Sequence, residues 1–287
     1  MIKSNKISFI CLAVSTLIGN IFLMVSFTGN SANDILGLIL AMLAAAVTVL
    51  IVKYFCETRF FRAIKSKSFV FGTGIILMLL LLATIIIFTL FSFSRFAAEV
   101  MLYANDIFIP FVSVFIIALF LGLCDKKVIF KFSVIILPIV FAIVVLMFAY
   151  SVRFMNIKYL TLYKEVDSGL LNAFLPLYLN FTFSSVPLLI IGKREKKRIF
   201  AYSFILLFLV VGVGFITTLG MFGSELASTL KYPYLSAVST AAMGEIFSRF
   251  DGFLYFSVFF TVIIKMGLCI YSFKEIFSKF LNFTIEK

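Results

Sequence analysis

Residues 169–192 read GLLNAFLPLYLNFTFSSVPLLIIG, an apolar run long enough to cross a bilayer but broken up in its middle by polar side chains. Between Pro176 and Pro187 lie Asn180, Thr182, Ser184 and Ser185, at about mid-membrane depth, and each proline deletes a backbone donor. Irregular backbone at that depth is tolerated only where protein or a water-filled cavity satisfies it, and many transporters build a substrate site from such broken helices. The alternative is a kinked packing helix whose Ser and Thr side chains bond back to their own carbonyls.

The rest of the chain reads as membrane protein. Of 287 residues, 63% are hydrophobic and the mean hydropathy is +1.18, with 39 Phe and no Trp or His. A water-soluble domain carries about 45 to 50% apolar residues, so the excess is lipid-facing surface and not a large core. Eight apolar segments are expected to span, at about 7–27, 35–56, 69–94, 107–124, 128–150, 169–192, 199–222 and 253–273, in one integral membrane domain over residues 1–287. The first is expected to be retained and not cleaved as a signal.

Charge sets the orientation. With both termini in the cytoplasm, the inner loops and tails hold 18 Lys and Arg against six outside, and Lys265 belongs to neither side. The net charge of +12 therefore reports topology and not nucleic acid, since no basic and aromatic stripe accompanies it. Without histidine, and with Cys11, Cys56, Cys124 and Cys269 far apart, metal-ligand spacing is absent, and the thiols read as inert and buried. Phosphate loops, nucleophile elbows and close carboxylate pairs are missing too, so neither an enzyme nor a cofactor is expected.

Segment one, ISFICLAVSTLIGNIFLMVSF, carries Gly19 and Asn20 near its centre, a plausible unwinding point or a close helix crossing. Segments one and six are thus both interrupted near mid-membrane, the pattern that points to an inverted-repeat transporter site. At the end of segment three, Arg95 and Glu99 are spaced to pair on one helix face. The outer loop from Gly223 to Gly252 carries apolar residues at helical spacing after Tyr232-Pro233, which predicts an amphipathic helix over about 235–250 that lies on the interface or caps the bundle.

Lys265 is the single formal charge well inside a predicted span. A helix starting near Phe253 puts it about 18 Å along, with about 13 Å still to the cytoplasmic end, beyond the reach of a lysine stem of about 6 Å. It must find backbone carbonyls, hydroxyls or a ligand carboxylate, and the interrupted segments could supply them.

Arg95, Phe96, Glu99 and Pro110, followed by KYPYLSAVSTAAMGEIFSRFDGFLYFSVFFTVIIKMGLCIYS, resemble the endospore germination permease family, the B subunits (GerAB-type) of spore germinant receptors within the amino acid-polyamine-organocation superfamily. The late signature of that family corresponds here to Tyr232, Pro233, Phe247, Arg249, Asp251 and Lys265. The resemblance implies a five-plus-five inverted-repeat fold with discontinuous helices 1 and 6. It implies a small germinant, commonly an amino acid in that family, bound between them, and A and C partner subunits in the inner membrane of the spore. Carried over by position, the ligand-facing residues are Gly19, Asn20, Phe181, Ser184 and Ser185, with Lys265 beside them. Three departures stand out: the family has ten membrane helices against eight segments here, making this chain a truncated version as an expectation; the acid often found in helix 6 is replaced by FTFSSVP; and the basic residue often found in the helix before Arg249 is replaced around Thr240 and Ala241. Three functions follow as expectations: a germinant-sensing receptor subunit, an amino acid permease, or a structural subunit that binds no ligand.

Overall fold

The structure, a computed structural model, describes residues 6–19, 21, 27–57, 68–102, 106–160, 166–192, 197–241 and 250–285. Its helices are α1 (Lys6–Ile18), α2 (Ser31–Glu57), α3 (Ser68–Phe96), α4 (Phe108–Leu123), α5 (Lys126–Ser151), α6 (Leu170–Ile191), α7 (Lys197–Thr229), α8 (Pro233–Ala241) and α9 (Phe250–Ile285). A π turn, Ala97–Met101, extends α3, and two 3-10 turns, Val152–Phe154 and Ile157–Leu160, follow α5. No strand occurs among the described residues. Six of the helices, α2, α3, α5, α6, α7 and α9, are long and apolar enough to cross a membrane. Two of the eight expected segments yield shorter apolar helices, α1 with 13 residues and α4 with 16.

The centre of the bundle is α1. Every residue from Phe9 to Ile18 except Ile10 is buried, on all sides of the helix, as expected of an element enclosed by others. It packs against α5, α6, α7 and α9. Large side chains such as Leu77, Leu80, Ile87, Phe108, Phe120 and Ile135 point outward instead, the inverse of a water-soluble surface.

Helices α2 and α6 run parallel and touch along their length. Gly37 makes this possible, because a Cβ there would lie 2.6 Å from the Ala173 Cβ. Further along, the Thr48 and Tyr178 hydroxyls are 3.2 Å apart, and at the far end Lys53 Nζ donates to the Gly192 carbonyl at 2.7 Å.

Three expectations are corrected. First, segment six is not interrupted: α6 is one helix through both Pro176 and Pro187. Its hydroxyls repair the local polarity, Thr182 Oγ1 donating to the Tyr178 carbonyl at 2.7 Å and Ser185 Oγ to the Thr182 carbonyl at 2.6 Å. Second, segment seven does not end at the glycine where a loop was expected. The helical path continues to Thr229, but Gly223 takes φ 70° and ψ 166°, so α7 is two helices joined at a sharp corner that only glycine occupies without strain. Third, the last helix runs well past 273, because Ile276 packs with Ile75, Leu82 and Ile190.

The helix expected over 235–250 begins earlier, with Pro233 at its first position. Tyr234, Leu235, Ala237 and Val238 are buried, and α8 packs on α5, α7 and α9. Residues 242–249, including Phe247 and Arg249, lie outside the described residues.

Candidate functional site

Helix α1 ends at Ile18, with Gly19 held by a last backbone bond to the Ser15 carbonyl at 3.1 Å. Gly19 meets α9 closely: a Cβ built there would lie 3.0 Å from the Thr261 carbonyl oxygen and 3.2 Å from Cβ and Cδ of Lys265. The absent side chain lets the backbone approach the lysine stem.

Lys265 itself is 3% exposed. Its Nζ donates to the Gly19 carbonyl at 3.2 Å and to Asn180 Oδ1 at 3.3 Å. Asn180 Oδ1 also accepts from Ser184 Oγ at 3.2 Å. Three elements therefore converge on one amino group: α1 by a terminal carbonyl, α6 by an amide side chain, and α9 by the lysine. No described carboxylate lies within ion-pair distance of it. An amino group has three donors and two are used, while Asn180 Nδ2 is buried and has no partner. One ammonium donor and the Asn180 amide are thus left free beside a buried positive charge, an arrangement suited to an anionic acceptor such as a carboxylate.

The expected ligand-facing residues divide. Gly19, Ser184 and Lys265 meet in this centre. Phe181 is fully buried in the apolar core, and Ser185 turns its hydroxyl back to its own helix. Asn20 lies outside the described residues. Asn180 is the residue that the positional carry-over missed; its signal was an amide at mid-span, four residues before Ser184 on the same helix face.

A second group gathers around Glu99 at the π turn. Arg95 Nε donates to Glu99 Oε1 at 3.1 Å, as their spacing predicts, but the carboxylate also takes Lys231 Nζ at 2.6 Å and the Tyr232 hydroxyl at 3.1 Å. Burial first, and the bond to Glu99 second, push the Tyr232 phenol up to about 12. The Phe96 ring meets Tyr232 edge-on at 5.3 Å. Glu99 thus fixes the corner from which Pro233 starts α8, a structural role. Pro110 is buried in the first turn of α4, Pro176 is exposed and Pro187 buried on α6. Asp251 belongs to α9, and its side chain lies outside the described residues.

Two sequence readings of single residues change. Lys53, counted among loop charges, is 2% exposed and caps the C-terminus of α6, with the Phe200 ring 5.5 Å from its Nζ. Cys11 and Cys269 are buried as expected, whereas Cys124 is exposed. Comparison with protein-family models, curated proteins and solved structures finds no match to this chain.

Proposed function

We propose that this chain is a multi-pass membrane receptor subunit that senses a small carboxylate-bearing molecule at the Lys265 centre. The observation that carries the reading is an almost fully buried lysine, without a carboxylate partner among the described residues, held by the Gly19 carbonyl at the end of α1 and by Asn180 of α6. An intramembrane charge is expensive and is retained where it serves a pathway, a ligand or a partner. The resemblance to germination permeases makes the ligand a germinant, an amino acid, and the listeners the A and C subunits in the inner membrane of the spore. In this reading all eight apolar segments cross, both termini are cytoplasmic, and the fold is built on the five-plus-five inverted repeat. Ligand binding signals by favouring one of two conformations.

Thermal unfolding of the detergent-purified chain against a panel of amino acids tests it. A ligand at a hundred times its dissociation constant stabilises by about 2.7 kcal/mol, a shift that grows with concentration. Stabilisation by one or two amino acids, lost in Lys265→Ala or Ser184→Ala, supports the receptor. Binding accompanied by gradient-driven uptake in vesicles makes the protein a permease. A folded chain that responds to none is a structural subunit.

A further inference from the structure

Helix α5 opens on KKVIFKF, residues 126–132, and the structure divides this end of the helix between two sides. Ile129, Ser133, Ile136 and Leu137 are buried and carry the packing. Lys127, Lys131 and Ile135 follow one another at single-turn spacing on the exposed side, where the row runs on through Ile139 and Leu146, 50% and 54% exposed. Lys131 therefore stands in line with the side chains that face lipid, about 7.5 Å along the helix from Lys126. Lys126, Lys127 and Lys131 have no hydrogen-bond or ion-pair partner among the described residues.

The corner between α4 and α5 adds a fourth amino group. Lys274, exposed on α9, donates from Nζ to the Leu123 carbonyl at 3.3 Å and so caps the end of α4. Against these four cations stand Asp125, exposed at the N-cap of α5 with no side-chain cap bond, and Glu275. The surplus is positive, and it sits at the positive end of a helix whose first turn holds no acid, a placement that costs stability unless an anion lies beside it. Water and mobile ions meet that need for an amino group at the helix end. For Lys131, whose stem runs along apolar side chains, the amino group reaches only to headgroup depth, and the anion at that depth is a lipid phosphate.

We propose that Lys127 and Lys131 form a docking surface for an anionic phospholipid of the surrounding bilayer, its phosphate received between the two amino groups and its acyl chains lying along Ile135 and Ile139. Residues one turn apart have Cβ atoms about 5 to 6 Å from each other, so two flexible lysine stems close on one phosphate. Lys274 adds to the field at the same corner. A zwitterionic lipid brings the same phosphate with a cation attached, which the lysines repel, so the net charge of the headgroup decides. A soluble phosphate matches the lysines but leaves the apolar row unused, which is why the occupant is a lipid. The inference needs α5 to lie in a bilayer and does not depend on what the Lys265 centre binds.

The experiment titrates the full chain, purified in a non-ionic detergent, with short-chain phosphatidylglycerol and separately with phosphatidylcholine, and reads bound lipid by native mass spectrometry. Phosphatidylglycerol binds the more tightly, and Lys127→Gln and Lys131→Gln each weaken it about fivefold, the weight of one basic residue at an anionic surface. The melting temperature of the lipid-free variants stays at the native value, because neither side chain has a partner to lose among the described residues. Lys126→Gln removes the same charge from a position about 140° around the helix from Lys131 and leaves the affinity unchanged. Equal affinity for the two lipids overturns the proposal. So does a loss in Lys126→Gln as large as in Lys131→Gln, since net charge alone then attracts the lipid. Full competition by glycerol phosphate, the headgroup without its tails, overturns it as well and makes the corner a site for a soluble phosphate.

Discussion

Helices α1 and α6 both deliver an acceptor to Lys265, and they do so in opposite ways. The first ends: at Gly19 the helix is over, and the lysine takes a backbone carbonyl across a gap that has room for no side chain. The second continues through two prolines and presents Asn180 from an intact helix face. The difference teaches that proline removes only one donor, which neighbours and hydroxyls compensate, whereas a helix end exposes carbonyls that need a partner. In α6 the polar residues serve both purposes: Thr182 and Ser185 turn inward to their own backbone, and Ser184 steadies the Asn180 oxygen.

The comparison breaks first at the residue the two helices share. Lys265→Met removes the buried charge and leaves the acceptors, so amino acid affinity falls by at least about a hundredfold, roughly 2.7 kcal/mol, if the ligand carboxylate is desolvated against the amino group. Stability of the unliganded protein changes little or rises, because replacing a buried charge by an apolar side chain of similar volume is often neutral or favourable. Ligand titrations by thermal shift, run beside denaturation without ligand, read both quantities. A variant that unfolds instead gives Lys265 a structural role.

Gly19→Ala tests the α1 side. The added Cβ would press on the Thr261 carbonyl and the Lys265 stem, at distances where one of them must move, and overpacking of this kind costs about 1 to 3 kcal/mol. The expected outcome is a lower melting temperature together with weaker binding. Asn180→Ala tests the α6 side more gently. Lys265 keeps the Gly19 carbonyl, Ser184 loses its acceptor, and an unsatisfied amide nitrogen disappears, so the net loss is about 1 kcal/mol. Losses in the order Gly19 above Asn180 make the close approach of α1 the tighter constraint on the lysine; the reverse order makes α6 the anchor.

Lys265 was legible from sequence because it is the single charge deep in an apolar segment, and burial follows from that alone. Gly19 was legible through its neighbour Asn20 and its mid-span place. The continuity of α6 was not, since two prolines and four polar residues look the same on paper whether the hydroxyls point to a cavity or to the carbonyl one turn back. Gly223 was read as the start of a loop because a corner between helices and a helix end share the same residue preference. Lys53 was hidden among the basic residues that follow it, and the carbonyl it caps is 139 positions away. Asp34 falls one residue before the expected start of segment two, and its partner Ser224 is 190 positions distant, so nothing local marks it as buried. What sequence conveyed was hydropathy and charge at each depth; what it withheld was every bond between segments.

The smallest expected effect sharpens the account of α6. Pro176 is exposed, and the structure assigns it no partner that depends on its ring, so Pro176→Ala restores a backbone donor toward the Asn172 carbonyl. If α6 tolerates its prolines only because the helix is otherwise well held, the substitution stabilises the protein by about 0.5 to 1 kcal/mol and leaves ligand affinity unchanged. If the kink sets the angle at which Asn180 meets Lys265, the same change weakens binding while the melting temperature holds or rises. Thermal denaturation with and without the amino acid separates the two, because any change in the helix axis at Pro176 moves the amide, four residues on, relative to the lysine it holds at 3.3 Å.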